Sequence, residues 1–172
     1  METFLIDKMA TPLGELLLIA DEENRLRAID WTDHYERLMK LLRNHYGANA
    51  FTLAESRNPG GLSDSIQRYF AGELHIIDDL PVRTAGTDFQ RQVWQELRKI
   101  PCGETISYGE LAKRINRPTA SRAVGMANGL NPISIVVPCH RVIGSHGNLT
   151  GYAGGVERKR GLLMHEGYIL AC

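Results

Sequence analysis

Ser107-Tyr108-Gly109-Glu110-Leu111-Ala112-Lys113-Arg114-Ile115-Asn116-Arg117-Pro118-Thr119-Ala120-Ser121-Arg122-Ala123-Val124-Gly125-Met126-Ala127-Asn128 is the stretch on which the reading of the fold turns. Ser107 and Glu110 stand at capping-box spacing, which opens a short helix running to about Ile115. Asn116-Arg117-Pro118 breaks it, and a second helix is predicted from Thr119 to Asn128. Two short helices joined by a tight turn predict a helix-turn-helix unit. On the second helix Ser121, Gly125 and Asn128 fall on one smooth face. Val124, Ala127 and Ala120 make a different face, expected to be core.

The pattern extends outward in both directions. Upstream, Thr87-Asp88-Phe89-Gln90 has the same capping-box spacing. It starts a helix whose apolar positions Phe89, Val93, Trp94 and Leu97 recur at three and four residues, and which stops before Pro101. Downstream, Asn131-Pro132 precedes the apolar run Ile133-Ser134-Ile135-Val136-Val137, which predicts a buried strand leading into Pro138-Cys139-His140. A loop carrying Gly144, Gly147, Gly151, Gly154 and Gly155 follows. A last helix is expected from about Val156 to His165 or Glu166, with Gly167 as its stop.

Leu80 to Gly86 reads as a linker. Before it, Gly14–Ala20 and Leu26–Trp31 are strand-like runs joined by the turn residues Asp21-Glu22-Glu23-Asn24, so a hairpin is predicted. Helices are expected over Tyr35–Tyr46, with Leu38, Leu41 and Leu42 at helical spacing, and over Leu62–Phe70. The expected fold class is α/β (α+β). A small N-terminal α/β domain, 1–82, has a mainly antiparallel sheet; a mostly helical C-terminal domain, 83–172, holds the helix-turn-helix.

Composition narrows the function classes. The chain has 172 residues, 43% of them hydrophobic, which suits a globular core and excludes disorder. No apolar run approaches the roughly 20 residues of a membrane span. The N-terminus lacks a basic start and a long apolar core, so no signal peptide is read there and a cytoplasmic location is expected. The three cysteines, Cys102, Cys139 and Cys172, are an odd number at wide spacing. They make a poor disulfide framework, and no pair has metal-ligand spacing. Neither a metal nor a cofactor is expected. Net charge is zero, yet residues 1–86 carry 9 Lys+Arg against 14 Asp+Glu, and residues 87–172 carry 11 against 6. The second half is the one that can meet phosphates.

Cys139 is the candidate nucleophile. A free thiol is mostly protonated at neutral pH and needs a base or a positive field. His140 can supply the base, directly or through a water, and Arg141 adds positive charge. A bare Cys-His pair is better read as a structural cysteine beside a surface histidine. On one strand the two would point to opposite faces, so the backbone must turn there, as Pro138 permits. His34, His45 and His75 are scattered and read as surface or satisfied histidines.

The wider set of motifs resembles the O6-alkylguanine-DNA alkyltransferases (methylated-DNA–protein-cysteine methyltransferases) of bacterial type. The matches are Pro138-Cys139-His140-Arg141-Val142, Asn131-Pro132, Ser107-Tyr108-Gly109, Arg122-Ala123-Val124-Gly125, Tyr152-Ala153-Gly154-Gly155 and Leu162-Leu163-x-His165-Glu166-Gly167. They fall in the family's order and spacing over about residues 87–168. In the first half Ala10-Thr11-Pro12-Leu13-Gly14 is the clearest match, to the family's variable, ribonuclease H-like domain.

The resemblance implies a monomeric DNA repair protein that moves an alkyl group from O6-alkylguanine, or O4-alkylthymine, in double-stranded DNA to Cys139, once per molecule. It implies that Glu166 orients His140, that Tyr108 protonates the departing base at N3, and that Asn131 braces the helix-turn-helix against the site. The base must be flipped out of the duplex. The resemblance puts the second helix in the minor groove, with Arg122 filling the vacated stack and small residues such as Ser121, Ala123 and Gly125 allowing close approach. Val142 and Ala153 match positions whose backbone groups recognise the base, and Tyr152 forms part of the wall. Gly161 departs from the pattern, which has tryptophan or another large apolar residue there. A glycine inside a helix costs about 1 kcal/mol relative to alanine. Two rivals remain from the residues alone: a cysteine hydrolase, which would need an oxyanion hole and turn over, and a non-reactive DNA binder, which the presence of Cys139 argues against.

Overall fold

The run Leu16-Leu17-Leu18-Ile19-Ala20 is buried at every position, although successive strand residues face opposite ways. A strand covered on both faces belongs in the middle of a sheet, and β2 (Gly14–Ala20) stands there. The computed structural model describes residues 1–149 and 151–168; Cys172 lies outside the described residues. The chain forms two compact units, Met1–Ala85 and a second beginning at Gly86.

In the first unit the sheet order is β3-β2-β1-β4. β1 (Glu2–Thr11) and β3 (Leu26–Trp31) flank β2 and run antiparallel to it. β4 (Phe51–Glu55) lies parallel to β1, with Ile6 opposite Glu55. A parallel strand needs a crossover, and α1 (Tyr35–Tyr46) lies in the connection from β3 to β4. Leu38, Met39 and Leu42 of α1 pack on Phe4, Leu17, Ile19 and Ala28. α2 (Leu62–Phe70) buries Ile66 and Tyr69. The hairpin turn is closed by Asp21, whose Oδ1 accepts from the amides of Glu23 and Arg25, while Asn24 takes a left-handed φ of 62°.

The expected linker is not free chain. The amide of Leu26 donates to the Pro81 carbonyl at 2.8 Å and that of Arg83 to the Leu26 carbonyl at 2.9 Å. The edge of β3 thus takes up 81–83 as a short extra partner, and the unit closes at Ala85, three residues beyond the boundary read from the sequence.

In the second unit α3 (Asp88–Leu97) opens on a complete capping box. The Gln90 amide donates to Thr87 Oγ1 at 3.1 Å, and the Thr87 amide to Gln90 Oε1 at 3.0 Å. A two-residue strand β5 (Ile106–Ser107) leads into α4 (Tyr108–Arg114), where Ser107 Oγ accepts from the Glu110 amide. α5 (Ser121–Gly129) starts two residues later than the pattern predicted, because the Ala120 amide is used in closing the turn onto the Arg117 carbonyl. Asn116 makes that turn with a φ of 61°. α3 packs on both helices, and Trp94 Nε1 donates to the Ala127 carbonyl at 2.8 Å. α4 and α5 form the helix-turn-helix pair.

The predicted strand over 133–137 is absent. Those residues are buried but make a tight turn: Val137 N–H donates to the Ile133 carbonyl, and Ile135 has a φ of 74°. A short apolar run reports burial, not extension. The strand in this region is β6 (Val142–Ile143), parallel to β5. α6 (Val156–His165) runs unbroken through Gly161, and the chain leaves it through Glu166 and Gly167, whose φ is 88°. Among the described residues no helix is long and apolar enough to cross a membrane.

Candidate active site

The turn at 131–137 exists because Asn131 holds it. Its Oδ1 accepts from the Ile133 amide at 3.0 Å, and its Nδ2 donates to the carbonyls of Ile133 at 3.3 Å and Val137 at 2.7 Å. These bonds reach the turn ahead of Pro138, not the helix pair. Cys139-His140-Arg141 then form one turn of 3-10 helix, so Cys139 and His140 are not on the opposed faces of a strand. All three are buried. Asn128, expected on the smooth outer face of α5, points inward instead and donates from Nδ2 to the Cys139 carbonyl at 3.3 Å. Spacing could have shown this, since Asn128 lies one turn beyond the core residue Val124.

Glu166, the residue after α6, is the hub of the charges. Its Oε2 lies 2.9 Å from His140 Nε2. Arg141 grips the same carboxylate with both Nε and Nη2, at 2.9 Å each, and its Nη1 donates to the Ile100 carbonyl at 2.7 Å. A carboxylate at a helix C-terminus is disfavoured by the helix dipole; here two buried partners compensate it. Burial alone would raise the Glu166 pKa. The charge and hydrogen bond of His140, then those of Arg141, outweigh burial and hold it well below the usual carboxylate range. His140 is shifted down, chiefly by burial, against the pull of Glu166. A neutral His140 beside an ionised Glu166 carries its proton on Nε2. Its Nδ1 is buried and has no hydrogen-bond partner among the described residues.

Lys159 was not anticipated. It is wholly buried, and its Nζ donates to the Val142 carbonyl at 2.6 Å. Burial lowers its pKa to about 8, opposed by the charge of Cys139, so the ammonium and the thiol share one field. The signal was available: Lys159 precedes Leu162 and Leu163 by three and four residues, which puts it on the buried face of α6.

Tyr108, Ser121, Arg122, Gly125 and Gly151 line an open pocket of about 450 Å³. Glycine is required at one of these positions, Gly151, while Gly125 leaves room for an ordinary contact. A Cβ on Gly151, which has a φ of 72°, would stand 2.8 Å from the Tyr108 hydroxyl, and one on Gly125 would touch the Tyr108 ring at 3.7 Å. Arg122, Ser121 and Ala123 are exposed on α5, and Arg122 has no hydrogen-bond or ion-pair partner among the described residues. Val142 and Tyr152 are buried and Ala153 is exposed; none of the three lines this pocket. The sequence-predicted residues thus fall into two groups. Buried bonds join His140 and Arg141 to Glu166, Asn131 holds the turn ahead of Cys139 and Lys159 the Val142 carbonyl after it, and Tyr108, Ser121, Arg122 and Gly125 surround the pocket. A larger concavity of about 660 Å³ in the first unit, between Asp7, Tyr35 and Arg57, contains neither cysteine nor histidine. Among the described residues no group of three or more His, Cys, Asp or Glu could hold a metal ion.

Fold and site together define a two-unit protein that joins a helix-turn-helix to a buried cysteine–histidine–glutamate arrangement. Comparison with known proteins makes the class specific. Residues 5–84 match the profile of the 6-O-methylguanine DNA methyltransferase ribonuclease-like domain, and residues 88–168 that of the 6-O-methylguanine DNA methyltransferase DNA binding domain. A methylated-DNA–protein-cysteine methyltransferase of Shigella flexneri is 58% identical over 170 residues, covering 99% of each chain. The crystal structure of Mycobacterium tuberculosis OGT in complex with DNA superposes with a TM-score of 0.75 at 42% identity, covering 95% of this chain and 92% of that one. The structure of the O6-methylguanine methyltransferase from the same organism gives 0.77 at 40% identity, covering 96% and 93%. The chain belongs to the 6-O-methylguanine DNA methyltransferase family.

Proposed function

We propose that the protein repairs alkylated DNA by taking the alkyl group of an O6-alkylguanine onto Sγ of Cys139. The observation that carries the reading is the buried bond from His140 Nε2 to Glu166 Oε2, which leaves Nδ1 of the residue next to Cys139 as a proton acceptor. A water between that nitrogen and the thiol passes the Cys139 proton to His140, and the resulting imidazolium is stabilised by Glu166. The thiolate attacks the alkyl carbon, a C–S bond forms, and the bond from carbon to O6 breaks. The electron pair stays with guanine, which takes a proton at N3 from the Tyr108 hydroxyl. The proton gained by His140 balances the one given by Tyr108.

The target base reaches this site by leaving the duplex. Arg122, exposed and without a partner among the described residues, fills the gap, while Ser121, Ala123 and Gly125 let α5 approach the minor groove closely. Tyr152 walls the base, and the backbone groups of Val142 and Ala153 recognise it. Lys159 tethers the Val142 carbonyl and places a positive charge beside the thiol, which favours the thiolate. Asn131 fixes the turn that presents Cys139. O4-alkylthymine is a second substrate of the same chemistry. The thioether product has no leaving group that the site can expel, so each molecule acts once, as a monomer in the cytoplasm and without a cofactor. The first unit supports the fold, and the second carries DNA binding and transfer.

Titrating duplex DNA containing one O6-methylguanine with the protein tests the reading. Restored guanine is expected to saturate at one mole per mole of protein, and Cys139→Ala to bind the duplex without restoring any. Restored guanine in molar excess over protein would overturn it.

A further inference from the structure

Met126 is 70% exposed on α5, an unusual position for a large apolar side chain. It lies one turn beyond Arg122 and three residues beyond Ala123, and all three are exposed, so they share the outward face of the helix. The flanking surface is small: Ala123 on one side, and on the other Gly125, which lines the pocket with Tyr108 and Gly151. The helix therefore presents one long cation and one long apolar chain, side by side, from an otherwise flat surface.

We propose that Met126 is an apolar wedge that enters the minor groove beside Arg122 and holds the duplex open at the extruded nucleotide. The inference rests on the reading of α5 as the DNA-facing helix. Proteins that open DNA from the minor groove insert apolar side chains, methionine among them, between base steps. Methionine suits the task because its unbranched thioether chain adapts to an irregular gap. Arginine and methionine divide the work: the guanidinium occupies the hydrogen-bonding space of the lost base, and the thioether covers the apolar faces of the neighbouring step. In water Met126 is exposed to no benefit; in the complex its burial favours the open duplex.

The test compares transfer rates for the full chain on two substrates, an O6-methylguanine duplex and free O6-benzylguanine. Met126→Ala is expected to slow transfer from the duplex about tenfold, the scale of losing part of a buried methionine side chain, and to leave the free-base rate unchanged. Met126→Leu should keep the duplex rate within about twofold, because it conserves apolar volume. Arg122→Ala should flatten the salt dependence of duplex binding by about one ion, whereas Met126→Ala should not alter it. An unchanged duplex rate in Met126→Ala, or an equal loss on both substrates, would overturn the wedge while leaving the chemistry of Cys139 intact. A wild-type protein that takes an alkyl group from neither substrate would overturn the reading of Cys139 and the wedge together.

Discussion

Glu166 accepts from two donor side chains in a buried site, so removing either leaves its charge only partly compensated. Arg141→Met leaves the carboxylate with His140 alone. Breaking a buried pair in this way costs about 3–5 kcal/mol, and the loss should appear as a lower urea midpoint. The pH dependence follows from the same groups. Glu166 has a folded pKa held below its ordinary 4.5, so its stabilisation is complete above that value and is lost as the pH falls through and below it. His140 is shifted down from 6.5 by burial and resists protonation in the folded state, so stability also declines as the pH drops below 6.5. Melting temperature should therefore fall continuously on acidification from pH 7, and His140→Gln should flatten the part between pH 7 and 5. Lys159 acts on reactivity. With its pKa lowered to about 8, it is mostly charged at neutral pH, and Lys159→Met should displace the rate–pH profile of free-base alkylation to higher pH. An unmoved profile would leave Lys159 only as the tether of the Val142 carbonyl.

At the scale of elements, the turn at 131–137 separates what the sequence tells from what it withholds. Asn131-Pro132 and the apolar run were legible as a feature ahead of Cys139, but five apolar-rich residues were read as a strand. Burial is written in the residue types; extension is not, because it depends on a neighbouring edge to pair with, and in this unit β5 pairs with Val142–Ile143. The positive φ of Ile135 could not have been anticipated, since β-branched residues rarely adopt it. Asn131→Ala would leave the buried Ile133 amide without its acceptor and take one of two donors from each of the Ile133 and Val137 carbonyls. It should cost about 2–4 kcal/mol and slow alkylation of Cys139 by free base as well as by duplex. The helices were easier. Thr87 and Gln90 form the capping box that their spacing announced, and Thr87→Ala should destabilise the chain by about 1 kcal/mol without changing the transfer rate. β1 and β4 carry weaker signals in the first unit: β4 has no buried residue, and β1 is partly exposed along most of its length.

For the whole molecule, a net charge of zero is the least informative number in the sequence. The excess of 11 Lys+Arg over 6 Asp+Glu after residue 86 is what a DNA-facing unit needs, and the acidic first unit masks it. Affinity for duplex should accordingly fall steeply between low and physiological salt. The order of motifs along the second half made the family recognisable, whereas the roles of Asn128 and Lys159 emerged only when the chain closed on itself. Both carry polar groups that helical spacing placed on buried faces, and a buried polar group must find a partner. The central claim is that Cys139 is the acceptor. Incubating the protein with duplex DNA carrying O6-methylguanine and mapping the product by peptide mass spectrometry tests it most directly. One added methyl group is expected, on the peptide holding Cys139, in every reacted molecule; repaired DNA accompanied by an unmodified Cys139, or a methyl group on Cys102 instead, would contradict it.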